Sequence, residues 1–219
     1  MRKKIEAHVT RMKLIPNINQ FHKDFLNIPE AHRCLGLIAC DVENIMYLAL
    51  DDATKKADVK AIYSSAAYTG KGNLWAAIRG QVVGMLTGRN VEDVRNGLIY
   101  TKEFIEKDTE LYAFDEEESL LCFVRLIPRV GKYYHEKYGI PESSAAAHLV
   151  SSPVESMYAL DKALKAGHVK VADAMLPPTK TNTGGAIVYG SYSSCRAARD
   201  TFLEEVEYCC MNPMDLIRN

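Results

Sequence analysis

The chain has no run approaching the ~18 apolar residues that a membrane helix needs, and its opening MRKKIEAHVTRM has no apolar core of signal-peptide length. It is expected to be a soluble, cytosolic protein that meets no membrane. It also lacks an excess of either charge. The 27 Lys and Arg stand against 28 Asp and Glu, with no basic block, which argues against a nucleic-acid surface built to neutralise phosphates. None of the six cysteines (Cys34, Cys40, Cys122, Cys195, Cys209 and Cys210) forms a C-x-x-C pair. Several fall in apolar stretches, as reduced and buried thiols do. The six histidines, His8, His22, His32, His135, His148 and His168, stand apart. There is no H-E-x-x-H, no Cys/His ligand quartet and no nucleophile elbow. Gly70-x-Gly72 lacks a third glycine and opens no helix, so it makes no phosphate cradle. The one tryptophan, Trp75, and the twelve tyrosines are scattered, which suits core and interface use better than base stacking. No activated nucleophile or acid/base pair can be assembled. The chain is therefore not expected to be an enzyme, and no metal or cofactor is expected.

What the chain does contain is a repeat. LDDATKKADVK, Leu50 to Lys60, returns 110 residues later as LDKALKAGHVK, Leu160 to Lys170. Leu50/Leu160, Asp51/Asp161, Ala53/Ala163, Lys55/Lys165, Val59/Val169 and Lys60/Lys170 match at equal offsets. Solenoid units repeat with periods of up to ~50 residues, so this spacing marks a duplicated whole domain. The expected modules are residues 1–107 and 108–219. A chain of 219 residues can bury roughly 70% of its unfolded surface and needs no disulfide or metal to stay folded.

Periodicity gives each module the same plan. His8 to Ile15 alternates like a half-exposed strand ended by Pro16, and Asn19 to Leu26 reads as a short helix. CLGLIAC, Cys34 to Cys40, is an apolar strand. Asp41 is expected to cap a helix through Ala57 whose buried side carries Ile45, Ala49 and Ala53. Strands follow at Val59 to Tyr68 and Ile78 to Leu86. Asn90 then caps a helix with Val94, Leu98, Thr101 and Ile105 inward. In the second module a short strand lies near Leu111 to Phe114. The acidic Asp115 to Glu118 falls where a helix is expected to begin, each carboxylate there typically worth ~0.3–1 kcal/mol. That helix should bend or break at Pro128. Ala145 to Val150 is a strand, and Ser152, Pro153 and Glu155 form a capping-box start for the next helix. VKVADAML and AIVYG are strands, and Ser191 caps a final helix with Cys195, Ala198, Phe202, Val206 and Cys209 inward. Helix-strand-strand-helix order around an antiparallel hairpin predicts an α/β (α+β) fold, two tandem ferredoxin-like sandwiches.

Two small polar loops follow corresponding strands, Thr69 to Asn73 and Thr179 to Gly185. In isolation each is an ordinary connection. In a ring of duplicated domains, equivalent loops would converge on the symmetry axis and line a hole.

SSPVESMYALDKALKAGHVKVADAMLPPTKTN, GSYSSCRAARDTF and CLGLIACDVENIMYLALDDATKKADV resemble the bacterial microcompartment shell proteins. Among them the chain looks most like the ethanolamine-utilization L-type, the circularly permuted tandem-domain branch. The resemblance covers nearly the whole chain and is weakest over the first 30 residues or so and over Leu111 to Ile140. It implies a homotrimer shaped as a pseudohexagonal tile. Such a tile joins other hexameric shell proteins to wall an enzyme-filled organelle in the cytoplasm, with encapsulated enzymes as further partners. Lys55 and Lys165 take the place of the family's tile-edge lysine, a long stem lying flat with its charge at an acceptor. The resemblance also implies a gated central pore passing a small-molecule solute. Its pore-loop positions are Tyr68, Gly70, Gly72, Asn73, Thr181, Asn182 and Thr183, with Thr183 where the family often has an aromatic ring. A smaller channel within each subunit would draw on Asp41, Glu43, Asn44, Gln81 and Thr181. Asn44 and Gln81 stand where the family's pattern has acids, which weakens attraction for a cationic solute such as ethanolamine. A related alcohol or diol system is the other expectation for the parent organelle. Fold alone also leaves open a soluble metabolite-binding regulator with ferredoxin-like domains.

Overall fold

The computed structural model describes residues 2–67, 79–107, 109–118, 120–176 and 183–216, with residues 66, 67 and 79–81 described by backbone alone. In chain order the elements are β1 (Lys3–Ile5), β2 (Val9–Ile15), α1 (Gln20–Phe25), β3 (Cys34–Val42), α2 (Glu43–Lys56), β4 (Val59–Ala67), β5 (Arg79–Gly88) and α3 (Val91–Lys107). They continue with β6 (Leu111–Ala113), β7 (Leu121–Ile127), α4 (Lys132–Tyr138), β8 (Ala145–Ser151), α5 (Pro153–Gly167), β9 (Lys170–Met175), β10 (Gly184–Gly190) and α6 (Tyr192–Met211). From β2 to α3, and again from β7 to α6, the order is strand, helix, strand, helix, strand, strand, helix. The sheets repeat as well. One runs β2-β3-β5-β4, and the other contains β7-β8-β10-β9 with β6 and then β1 added beyond β7. Every pairing is antiparallel.

The chain forms two compact units. The first comprises Glu6–Thr109 with Gly131–Lys137. There α2 and α3 lie on the sheet through Ile45, Leu50, Val94, Leu98 and Ile105, all buried. The helical spacing of these residues is why they meet one surface. The close approach of α3 requires Gly36 on β3, because a Cβ there would stand 2.9 Å from Cγ of Leu98. A second cluster joins Ile18, Ile28 and Leu35. The other unit comprises Met1–Ile5, Glu110–Val130 and Tyr138–Asn219. Its core sets Cys122, Val124, Ala147 and Leu149 of the sheet against Ala159 and Ala163 of α5 and Phe202 and Val206 of α6.

Three local expectations are corrected. The segment after Asp115–Glu118 is a strand, β7, rather than a helix. Its Leu121, Cys122, Phe123 and Val124 are all buried, the continuous apolar pattern of an inner strand. The acidic residues form the preceding turn, where Asp115 accepts from the Leu120 amide at 3.0 Å, and Pro128 simply follows the strand's end. Asp41 does not cap α2. Val42 holds the cap position without a side-chain bond, because Asp41 is still within β3 and accepts instead from the His8 amide at 2.7 Å. Ser152 occupies the cap of α5 but makes no side-chain cap bond, leaving Pro153 in the first turn as the start signal. The caps expected at Asn90 and Ser191 do form. Asn90 accepts from the Asp93 amide at 2.8 Å, and Ser191 accepts from the Ser194 amide at 3.1 Å.

Candidate functional site

The pore-loop positions Tyr68, Gly70, Gly72, Asn73, Thr181 and Asn182 lie outside the described residues. Thr183 lies just before β10 and is buried. For the smaller channel, Asp41, Glu43 and Asn44 fall together where β3 turns into α2. The register sets Gln81 beside them on β5, between the pairs Cys40↔Val82 and Val42↔Arg79. Asn44 is buried. Glu43 accepts from the Tyr47 hydroxyl at 2.9 Å. Lys137 of α4 lies 4.2 Å above the Tyr47 ring and donates to the Tyr133 hydroxyl at 3.1 Å. The Glu43 carboxylate is thus one end of a string of polar and cation–π contacts leading to a cation. Thr181, the fifth channel position, is outside the described residues.

The two edge positions differ. Lys55 folds onto Asp51, Nζ to Oδ2 3.0 Å, with side chains 19% and 1% exposed. Lys165 pairs with Asp161 at 2.7 Å, but these side chains are 71% and 57% exposed. The cause of the difference is α4. Asp51 accepts from the Gly131 amide at 2.7 Å and the Tyr134 amide at 2.9 Å, taking the free N–H groups at the start of that helix as a local cap would. Gly131 allows this approach, since a Cβ there would meet the Asp51 carbonyl oxygen at 2.6 Å. Beside α4 lies a cleft of about 200 Å³ lined by His32, Thr54, Ala61, Tyr133 and Glu136 among others. Glu136 pairs with Lys60 at 3.3 Å. Burial, followed by the Arg89 cation, holds His32 below its usual value, so its imidazole is neutral at physiological pH.

Reasoning from sequence did not find Asp51, Gly131 and Tyr134 as a constellation, because they are separated by about eighty residues of chain. The only signal was the recurrence of Asp at 51 and 161. Burial makes several thiols poor nucleophiles: it pushes Cys40 up to about 12, Cys195 to about 11 and Cys210 to about 12, while Cys122 is raised well above the ordinary thiol range. Among the described residues no group of three or more His, Cys, Asp or Glu side chains could hold a metal ion. No described helix is long and apolar enough to cross a membrane.

No protein-family model matches the chain. Known proteins do. The chain is 39% identical over 210 residues to the bacterial microcompartment shell protein EutL of Clostridium perfringens (strain 13 / Type A), covering 96% of this chain and 97% of that protein. It is 32% identical over 210 residues to EutL of Escherichia coli (strain K12), with 96% of each covered. The crystal structure of the ethanolamine utilization protein EutL from Leptotrichia buccalis C-1013-b superposes with a TM-score of 0.90 at 37% identity, over 97% of this chain and 98% of that one.

Proposed function

Since this chain belongs to the EutL family of bacterial microcompartment shell proteins, of the ethanolamine-utilization type, we propose that three copies assemble into a pseudohexagonal tile with a gated central pore. The role is structural. The observation that carries the reading is the duplication, two modules of one strand-helix-strand-helix-strand-strand-helix plan with matching sheet orders. Three such chains supply six equivalent modules, and closed rotational symmetry brings equivalent loops together on the axis. The loops after β4 and β9 are the ones that would line the hole, and a metabolite or cofactor is what would pass. The glycines at 70 and 72 allow the backbone change that a two-state gate requires, whereas Gly184 and Gly185, expected to end the second loop, are strand residues of β10.

Neighbouring shell hexamers would meet the tile along the edge carrying Lys55 and Lys165. Lys165, paired with Asp161, stays exposed to solvent, whereas Lys55 is largely buried against Asp51. The smaller channel at Asp41, Glu43, Asn44, Gln81 and Thr181 has amides at 44 and 81 where the family's pattern has acids, and Glu43 accepts from the Tyr47 hydroxyl. A neutral or weakly polar solute fits it better than an ammonium.

The test is mass in solution by light scattering, followed by electron microscopy of concentrated protein. The expected result is a trimer that forms hexagonally packed layers. Lys165→Asp is expected to keep the trimer and lose the layers, because a carboxylate then faces the backbone acceptors of the neighbour. A monodisperse wild-type monomer would overturn the tile, and unchanged layers in the variant would overturn the edge assignment.

A further inference from the structure

In the first unit, Nδ1 of His32 and Oγ of Ser64 lie out of water with no hydrogen-bond partner among the described residues. A polar atom buried in this way has lost its water and gained nothing in return. Both residues border open space. His32 lines the cleft of about 200 Å³ beside the seat of α4, and Ser64 lines a groove of about 480 Å³ along β4. The two spaces are continuous, with Lys60, Ala61, Tyr133 and Glu136 forming walls of both.

The charges gathered at the cleft do not balance. Lys132 of α4 is exposed and has no ion pair or hydrogen bond among the described residues. Lys60 is held only by Glu136 at 3.3 Å, with side chains 46% and 51% exposed, and a pair so open to water contributes little to stability. His32 is held neutral first by burial and then by Arg89, with Lys60 and Lys23 adding to that cation and Asp58 opposing it. The cations Lys23, Lys60, Arg89 and Lys132 therefore stand against the carboxylates Asp58 and Glu136, a surplus that suits a dianion. The cleft is smaller than the ~300–1,000 Å³ of a pocket for a drug-sized ligand. It has room for one compact oxyanion, and the adjoining groove has room for a short organic tail.

The duplication provides an internal contrast. Ile15-Pro16 and Ile127-Pro128 stand 112 residues apart, as do Ile28-Pro29 and Ile140-Pro141. α1 and α4 are thus equivalent helices, with Phe21 matching Tyr133 and Gln20 matching Lys132. The turns after them are equivalent too: the His32 amide donates to the Pro29 carbonyl at 2.8 Å, and the Ser144 amide to the Pro141 carbonyl at 2.8 Å. Ser144 stands at the position of His32, while Lys170 keeps that of Lys60. The imidazole and the unpaired lysine are not part of the common plan; they are particular to this cleft.

We infer that the cleft binds a small phosphate, either the free ion or the head of a short phosphate monoester. Its oxygens accept from the Lys60 and Lys132 ammoniums and from the His32 imidazole, and Lys60 exchanges the Glu136 carboxylate for it. A dianionic monoester carries only acceptors and a lysine ammonium only donors, so charge and hydrogen bonding match together. The organic part of an ester lies in the groove on the side of Ser64. The site falls within one unit of a single chain, so it goes beyond the tile reading and does not depend on it.

The experiment is calorimetric titration of the full chain with inorganic phosphate and with propyl phosphate, and with propanol as the neutral control. Saturable binding of one phosphate per chain is expected, and none of propanol. Tighter binding of the ester identifies an ester as the ligand, and equal affinities identify the free ion. Lys132→Gln and His32→Gln are each expected to weaken binding about tenfold, the loss of one charge-assisted contact. Glu136→Gln is expected to strengthen it, because the competing carboxylate is gone. Lys170→Gln, the equivalent of Lys60 in the second unit, is expected to change nothing. Lys132 and Glu136 are both exposed, so their variants keep the test intact even if circular dichroism shows His32→Gln unfolded. A wild type that binds no phosphate would overturn the site and leave the tile standing. Unchanged affinity in Lys132→Gln, or weaker binding in Glu136→Gln, would overturn it as well. So would an equal loss in Lys170→Gln, since phosphate would then be following the overall charge of the surface.

Discussion

Asp51-Lys55 and Asp161-Lys165 are the same two residues at the same spacing on equivalent helices, yet they are physically different pairs. The first is sealed by α4, its carboxylate 1% exposed and holding two backbone amides as well as the ammonium. The second is open to solvent on both sides. The comparison teaches that a duplicated motif does not inherit its environment. What decides the energetic weight of the pair is the segment that arrives on top of it. The sharpest way to break the comparison is Asp51→Ala, which leaves Lys55 without its carboxylate and the Gly131 and Tyr134 amides unsatisfied. Removing one partner of a buried, hydrogen-bonded pair costs about 3–5 kcal/mol. A denaturant melt should show that loss, and a change below about 1 kcal/mol would mean that α4 does not depend on this carboxylate.

The same seat gives the next effect through Tyr133. Burial, with the Asp51 charge as the second cause, pushes its phenol up to about 12, against about 10 in an unfolded chain. The folded state therefore holds this proton longer. Its contribution is complete below pH of about 10 and is lost as pH rises towards about 12, as the unfolded chain ionises first. Tyr133→Phe should flatten the fall of stability in that window by an amount on the order of 2 kcal/mol. The difference between wild-type and variant denaturant melts at pH 9 and 11.5 measures it. Equal slopes would place the hydroxyl in water. Phe21, the equivalent residue of α1, has no hydroxyl and makes no such contribution.

The periodic elements were legible in the sequence. β3, α2, α3, β8 and α6 each carry an apolar pattern of one period, and the repeat at Leu50 and Leu160 announces the two modules and their matched sheets. β7 was misread because four buried residues in a row have no period, and the acidic turn before it looks like a helix start. β1 was missed because Lys3–Ile5 is a short, mostly exposed strand whose place depends on pairing with β6. Asp41 was misassigned as a cap because the strand runs two residues further than its apolar core suggests. The environment of Lys55 was not legible at all. It is set by Gly131, whose missing side chain matters only once the fold brings it against Asp51.

The smallest effect tests the open member of the comparison. Asp161→Ala removes a solvent-exposed i,i+4 pair. Such pairs contribute about 0.3–0.5 kcal/mol, because water solvates both partners nearly as well as they solvate each other. The expected shift in a denaturant melt is within that range, and it should shrink further in high salt, where exposed charges are screened over a few ångströms. A loss of several kcal/mol would mean that Asp161 is enclosed rather than open to solvent. The two carboxylates would then be alike, and the asymmetry that α4 creates between them would disappear.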